Sequence, residues 1–305
     1  MSAIETLKTF NKDDLPDLDT VVAGALELFS VAKLPKIEIP LKRPLVVGSA
    51  NAEYAGRIVF GDTDAVFADE SSFEDQLATV PEIDGAVVVS ASGSKHAIEI
   101  AKTLKNQNIP AWLFTCNEAA PAREFFDDDK VLVFPKNREP YTYNTSTYLG
   151  MILAKTKEDP RAIRAFIDTH ISTSDLLPTL SASVGFTFVL PSDRGELRYM
   201  LRTKFDELFG IKVPGRFFTA EEFKHAKSVV RDPGELFVNM TERSLGIENE
   251  LRLSLPDGYG GALATTYYLV GLIQRSKPPY FKDNITRYCQ EASAVFNSDI
   301  PVIVD

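Results

Sequence analysis

The sequence predicts an α/β protein of two tandem domains, each a parallel sheet covered by helices on both faces. Three observations predict it. Short runs such as Gly85-Ala86-Val87-Val88-Val89 are apolar throughout, as strands buried on both faces are. These runs alternate with segments whose apolar residues recur at helical spacing, the order that builds βαβ units. The alternation is interrupted over residues 156–182 and then restarts, and 305 residues suit two domains of ordinary length.

The elements follow in order. Residues 17–33 carry apolar side chains at helical spacing and begin beside Asp17 and Asp19, two capping residues, so they read as a helix. Pro44 to Val47 form a short apolar strand that runs into Gly48-Ser49. AEYAGRIVFG reads as a helix and DAVFADE as a second strand, and the acidic stretch SSFEDQLATV follows. GAVVV ends abruptly in small polar residues. HAIEIAKTLKNQ is an amphipathic helix, IPAWLFTC the next strand and KVLVF one more. NTSTYLGMILAKT opens a helix with Asn144, Thr145 and Ser146 as candidate caps.

Residues 156–182 read as the connection between domains, with the first domain at 1–165 and the second at 166–305. In the second half GFTFVLPSD is a strand and GELRYMLRTKFDELFG a helix. GRFFTAEEFKHAK reads as a loop entering a further helix, ELFVNM and LRLSLP as strands, and GGALATTYYLVGLIQRSK as a long apolar helix. The tail DIPVIVD is extended.

Composition narrows the function. Apolar residues make up 44% and charged residues 25%, the balance of a folded globular chain. The formal net charge of -10 leaves no basic field over the chain, so no nucleic-acid partner is expected. No run approaches the ~20 apolar residues of a membrane span, and the N-terminus lacks a secretory leader pattern. No Cys/His spacing suggests zinc. The expectation is a cytoplasmic protein without metal, cofactor or membrane partner, with Cys116 and Cys289 as buried free thiols.

Four segments carry residues suited to chemistry. Ser90-Ala91-Ser92-Gly93-Ser94-Lys95-His96 stands at a strand-to-helix turn, where hydroxyls and helix N-terminal N–H groups bind a phosphate and Lys95 adds a positive charge. The same residues also suit a plain turn and cap. Ser49 and Asn51 sit at an equivalent turn, either closing the other side of one pocket or forming a tight turn only. Thr145 and Ser146 offer hydroxyls at a helix start, or cap it and no more. Glu207 and His225 are a carboxylate and an imidazole of the kinds needed for proton transfer between sugar carbons and for ring opening. The bland alternative for EEFKHAK is a solvated turn with Glu–Lys pairs. His170 reads as structural or exposed, His96 as pocket-facing or exposed, and Tyr141, Tyr143, Tyr148, Tyr267 and Tyr268 as packing residues.

On these residues the chain resembles a known family. VVVSASGSKHAIEIAKTLKNQNIPAWLFT, in the order strand–SxSG–helix–strand–T, resembles the sugar isomerase (SIS) domain. KFDELFGIKVPGRFFTAEEFKHAK resembles the catalytic stretch of tandem-SIS enzymes, where a helix with K-x-K-E precedes a loop ending in E-L/F-x-H-G. The isomerase domain of glucosamine-6-phosphate synthase, the fructosamine-type deglycases and the bifunctional phosphoglucose/phosphomannose isomerases share this layout.

The resemblance implies two flavodoxin-like three-layer domains, a homodimer with sites at the subunit interface, and a phosphorylated sugar or sugar-amine as ligand. It implies that Ser90, Ser92, Gly93 and Ser94 hold the sugar phosphate, with Lys95 and Ser49 beside them. It assigns Glu207 as the base that moves a proton between the first two carbons, and His225 as the ring-opening group, often donated by the neighbouring subunit. The sequence departs from the pattern in places. Lys95 stands where many relatives have Thr, Ala52 where Ser is frequent, and Ala226 where several have Gly. The tail NSDIPVIVD has no lysine, the nearest being Lys282, so no tail lysine carries over for an imine step. The expected function is an aldose–ketose isomerase or a deglycase/deaminase on a 6-phosphosugar. The alternative is a non-catalytic sugar-phosphate-binding regulatory protein, to which the missing tail lysine points.

Overall fold

The computed structural model describes residues 2–305. The chain runs α1 (Ala3–Thr9), α2 (Leu18–Phe29), β1 (Pro44–Gly48), α3 (Asn51–Phe60), β2 (Val66–Ala68), α4 (Phe73–Thr79), β3 (Gly85–Val89), α5 (His96–Asn106), β4 (Ala111–Thr115) and β5 (Val131–Val133). It continues through β6 (Glu139–Pro140), α6 (Thr145–Thr156), α7 (Pro160–His170), α8 (Thr173–Ala182), β7 (Gly185–Leu190), α9 (Leu197–Phe209), β8 (Gly215–Thr219) and α10 (Ala220–Phe223). It ends with β9 (Glu235–Asn239), β10 (Glu250–Arg252), α11 (Tyr259–Ser276), α12 (Tyr280–Phe296) and β11 (Ile303–Val304).

These elements form two compact units that interleave in sequence. One unit takes residues 31–136 and 146–157, and the other takes the chain up to Ser30, residues 137–145 and everything from Glu158 on. The linear division expected at 165 differs from this grouping, since α1 and α2 cluster with the second sheet. The physical cause is a close helix crossing. Gly271 of α11 has no side chain, and a Cβ there would lie 1.9 Å from the backbone nitrogen of Asp19 on α2.

The first unit holds a parallel five-stranded sheet in the order β2-β1-β3-β4-β5. Its strands are short, and β1 and β3 are buried at every position, as the apolar runs predict. Leu45, Val47, Ala86, Val88 and Leu113 face a core shared with Phe73 of α4 and Ile100 and Leu104 of α5. The alternate positions face the other side, where a Cβ on Gly56 of α3 would meet Val46 and Val89 and Phe60 packs on Phe114 with ring centroids 5.8 Å apart. Helices thus cover both faces, giving three layers.

The second unit holds a parallel four-stranded sheet in the order β10-β9-β7-β8 and a short antiparallel pair, β11-β6. Phe186 and Phe188 of β7 pack edge-on against Phe205 of α9, while Val189 and Phe237 pack against Phe223 of α10 on the opposite face.

Three local expectations change. GRFF, expected as a loop, is strand β8. Its register pairs Phe217 with Phe188, whose rings stack at 5.1 Å, so packing supplies what an edge strand's sequence pattern lacks. The helix expected through EEFKHAK is a single turn. A capping box of Thr219 and Glu222 starts it, and the chain has turned away by Ala226, at φ +60°. Residues 156–182, expected as a connector, form two helices, the first opened by the Asp159 side chain accepting from Arg161 N–H with Pro160 in its first turn. Cys116 and Cys289 are buried free thiols, as expected. Among the described residues no helix is long and apolar enough to cross a membrane, and no cluster of three metal-ligating side chains occurs.

Candidate active site

In the five-stranded unit the sheet order reverses between β1 and β3, since β2 lies to one side of this pair and β4 to the other. Ligands of open parallel sheets bind beyond the carboxyl ends of the strands at such a switch point. The register pairs Gly48 with Val89, so the chain leaves the two adjacent strands side by side, at Ser49 and at Ser90. Each exit turns directly into a helix. Ala50 precedes α3 at φ 49°, ψ -121°, and Lys95 precedes α5 at φ 53°, ψ -121°. A positive φ costs any side-chain-bearing residue, and its repetition at both turns marks a backbone shape held by its surroundings.

The bracing of the second turn is visible in its bonds. Gly93 sits at φ +60°, and a Cβ there would lie 2.5 Å from Cβ of Ala120. Its N–H donates to Ser90 Oγ at 3.1 Å, and its carbonyl accepts from Ala122 N–H at 2.9 Å. Thr115, at the end of β4, donates to the Ala91 carbonyl at 3.1 Å, and Asn117 donates to the Ser92 carbonyl at 3.1 Å. The Ser92 and Ser94 hydroxyls are left bonded to one another at 2.7 Å, with Ser92 exposed. Ser49 and Ser94 are half-buried, and Lys95 and His96 are exposed at the start of α5. Ser49, Ser90, Ser92, Gly93, Ser94 and Lys95 therefore share one end of one sheet, beside two helix N-termini. That arrangement suits an anion, which gains about 0.3–1 kcal/mol from each helix terminus at an exposed site. Asn51, the first residue of α3, is buried, and Thr145 and Ser146 are buried at the start of α6. The Thr145 N–H donates to Glu139 Oε2 at 2.7 Å.

In the four-stranded unit, α9 carries Lys204 and Glu207 one turn apart. Lys204 has no solvent exposure, whereas the Glu207 side chain keeps 27% of its surface open. The Lys204 ammonium donates to Glu207 Oε2 at 2.6 Å and to the Thr142 carbonyl at 2.7 Å. It also lies 5.7 Å and 5.9 Å from the ring centroids of Tyr143 and Tyr267. The surrounding protein pushes the Glu207 carboxyl above the ordinary glutamate range, and Lys204 only partly opposes that rise. A carboxylate that is partly open, raised in pKa and fixed by a buried cation has the properties of a general base. Sequence reasoning missed Lys204. Its signal was the i,i+3 spacing from Glu207 on an otherwise apolar helix face.

His225 lies elsewhere on this unit. It is exposed, in an open groove of about 550 Å³ lined by Arg198, Tyr199, Arg202, Arg216, Phe217 and Lys227 among others. Arg198 pairs with Glu222, and Arg216 with Glu235. At about 100° per residue, Glu207 lies on the far side of α9 from Arg198, and it does not line this groove. Within one chain the structure does not bring Glu207 and His225 together. His170 is exposed and stacks on Phe166 at 4.0 Å.

No family model and no curated protein matches this sequence. Solved structures do. The C-terminal domain of glucosamine-fructose-6-phosphate aminotransferase from Francisella tularensis aligns over 88% of this chain and 97% of its own, with a TM-score of 0.63 and 14% identity. Tagatose-6-phosphate ketose/aldose isomerase from Escherichia coli aligns over 87% and 89%, with a TM-score of 0.56 and 14% identity. Glucosamine-6-phosphate deaminase from Thermotoga maritima aligns over 90% and 92%, with a TM-score of 0.54 and 14% identity. Identity this low speaks for the fold alone, and the coverage extends it over both sheets. The chain shares the fold of these solved proteins over both of its parallel sheets, the fold that the SIS resemblance of its sequence implied.

Proposed function

We propose that the protein is an SIS-type enzyme acting on a phosphorylated sugar or sugar-amine, as an aldose–ketose isomerase or a deglycase/deaminase on a 6-phosphosugar. The solved relatives named above, an aminotransferase domain, a ketose/aldose isomerase and a deaminase, all handle 6-phosphosugars by their descriptions. The observation that carries the reading is the Glu207 carboxylate, part-open and clamped by the buried Lys204.

In this reading Ser90, Ser92, Gly93, Ser94 and Lys95, with Ser49, hold the phosphate, and its binding energy supplies orientation. Glu207 takes the proton from the carbon next to the carbonyl, and an enediol or enolamine forms. The same carboxyl returns the proton to the neighbouring carbon. His225 of the partner subunit opens the ring, which makes the active form a homodimer and accommodates the separation of His225 from Glu207 within one chain. Asn51, Thr145 and Ser146 are buried, so in this reading they brace the starts of α3 and α6 and do not touch the sugar. The chemistry calls on no metal or organic cofactor. The test is a panel of 6-phosphosugars and fructosamine 6-phosphates in deuterated water. Wash-in of solvent deuterium beside the carbonyl supports the reading, and its absence with every compound overturns it.

A second reading is a sugar-phosphate-binding regulator without catalysis. The separation of His225 from Glu207 within one chain favours it. Such a protein raises its melting temperature with phosphosugars yet exchanges no protons into them.

A further inference from the structure

Lys204 is aimed by a loop whose own bonds are few and long, Asn144 Nδ2 donating to the Thr142 carbonyl at 3.4 Å and Tyr143 N–H to the Pro140 carbonyl at 3.2 Å. Residues 141–144 link β6 to α6, and the Thr142 carbonyl that accepts from Lys204 belongs to this loop. Thr142 stands at φ +75° and Asn144 at φ +44°. A β-branched residue at positive φ is a true outlier, and it persists only where neighbours over-determine it.

Those neighbours meet at Tyr143, whose side chain has no solvent exposure. Its hydroxyl donates to the Pro16 carbonyl at 3.2 Å and accepts from Gln274 Nε2 at 2.8 Å. Gln274, on α11, uses its Oε1 to accept from Leu18 N–H at 2.9 Å, at the first turn of α2. The Tyr143 ring packs on Phe281 of α12 with centroids 5.0 Å apart. One buried amide therefore joins α2, α11 and the loop. The chain of contacts runs Leu18, Gln274, Tyr143, the Thr142 carbonyl, Lys204 and Glu207, all within one compact unit. A turn that only linked two elements would not require a buried Tyr–Gln bond beneath a strained residue.

We propose that Tyr143 and Gln274 are positioning residues that fix the Thr142 carbonyl, and through it Lys204, so that the Glu207 carboxylate is held in one orientation. The proposal rests on Glu207 as the base for its catalytic consequence, but not for its structural one. The ionisable groups facing Glu207 are Lys204 and Asp206 on α9 and Tyr141 and Tyr143 on the loop. Of these only Lys204 is a cation, so its placement controls how readily Glu207 ionises.

The test uses the full chain in two variants. Tyr143→Phe keeps the ring and removes the hydroxyl. Gln274→Met keeps the volume and removes both bonds. In each, the Glu207 carboxyl is titrated by carbon-13 NMR and the Lys204 ammonium is followed by nitrogen-15 NMR, without substrate. The expected result is a Glu207 midpoint raised by about half a pH unit or more, with faster Lys204 proton exchange. On a phosphosugar that wild type turns over, kcat falls about tenfold with KM nearly constant and the acid limb of the pH profile moves up in step. Should one variant fail to fold, the other decides. Titration curves that overlay wild type in a folded variant overturn the proposal. Shifted curves in a protein that exchanges no protons into any phosphosugar uphold the positioning and overturn the enzyme reading instead.

Discussion

The ammonium of Lys204, wholly inside the protein, meets the carboxylate of Glu207 at 2.6 Å while that carboxylate keeps one side toward solvent. A buried lysine left without its partner is costly, and so is a partner left without its lysine. Lys204→Met is expected to cost about 2–4 kcal/mol in urea unfolding, because Glu207 and the Thr142 carbonyl both lose their donor. It is also expected to raise the Glu207 pKa further. A variant as stable as wild type contradicts this account of the pair.

The raised Glu207 pKa fixes a pH dependence. A base works only when deprotonated, so kcat/KM is expected to rise with pH, with an acid limb above the ordinary glutamate range. Stability runs the other way. The folded protein holds this proton more tightly than the unfolded chain does. The group's contribution to folding is therefore largest below the unfolded value and declines as pH rises through the raised folded value. Urea unfolding across that window, wild type against Glu207→Gln, is expected to show the decline in wild type and a flatter curve in the variant.

The serines of the first-unit turn divide by task. Ser90 Oγ accepts from Gly93 N–H within the turn, whereas the Ser92 and Ser94 hydroxyls bond one another. Ser90→Ala is expected to lower stability by about 1 kcal/mol. The Ser92→Ala, Ser94→Ala double variant is expected to change stability by less than about 0.5 kcal/mol. Its expected effect is a KM for phosphosugars raised about tenfold or more at unchanged kcat, the mark of binding lost equally from ground and transition states.

Gly93 is set by space and by backbone. Gly93→Ala forces a side chain into φ +60° and into Ala120. The expected loss is about 1–3 kcal/mol, with phosphosugar binding weakened beyond detection by calorimetry. Binding at wild-type affinity would show that this turn does not hold the phosphate.

The separation of His225 from Glu207 in one chain makes subunit exchange informative. Glu207→Gln and His225→Ala are each expected to be inactive alone. Mixed in equal amounts and allowed to exchange subunits, they are expected to recover about a quarter of wild-type activity, since half the dimers then carry one intact site of two. No recovery, with mixed dimers demonstrated by mass, places both groups in one subunit or removes His225 from the reaction.

Much of the first sheet could be read from the chain. β1 and β3 are apolar at every position because both faces are covered, and such runs have few other interpretations. The SxSG turn was legible because a strand that stops in small polar residues before an amphipathic helix leaves little choice of backbone. β8 was not legible. Pro214, Gly215 and Arg216 introduce it, all its residues but Thr219 are half-buried, and it forms because Phe217 finds Phe188 on the neighbouring strand and Phe205 on α9. The short α10 was over-read because helical spacing in EEFKHAK carries no mark of where packing ends.

The sequence by itself determined the alternation of strand and helix, the hydroxyl-rich turn at residues 90–95 and the presence of a glutamate and a histidine in the second half. These are local matters, written in periodicity and residue type. Tertiary structure alone decided that β1 and β3 lie side by side so that Ser49 and Ser90 share an edge. It also decided that α2 belongs with the second sheet and that Lys204, not a residue singled out from spacing, grips Glu207. Each depends on contacts between residues far apart in the chain, and a chain's local preferences do not encode which distant surface will bury which side of a helix.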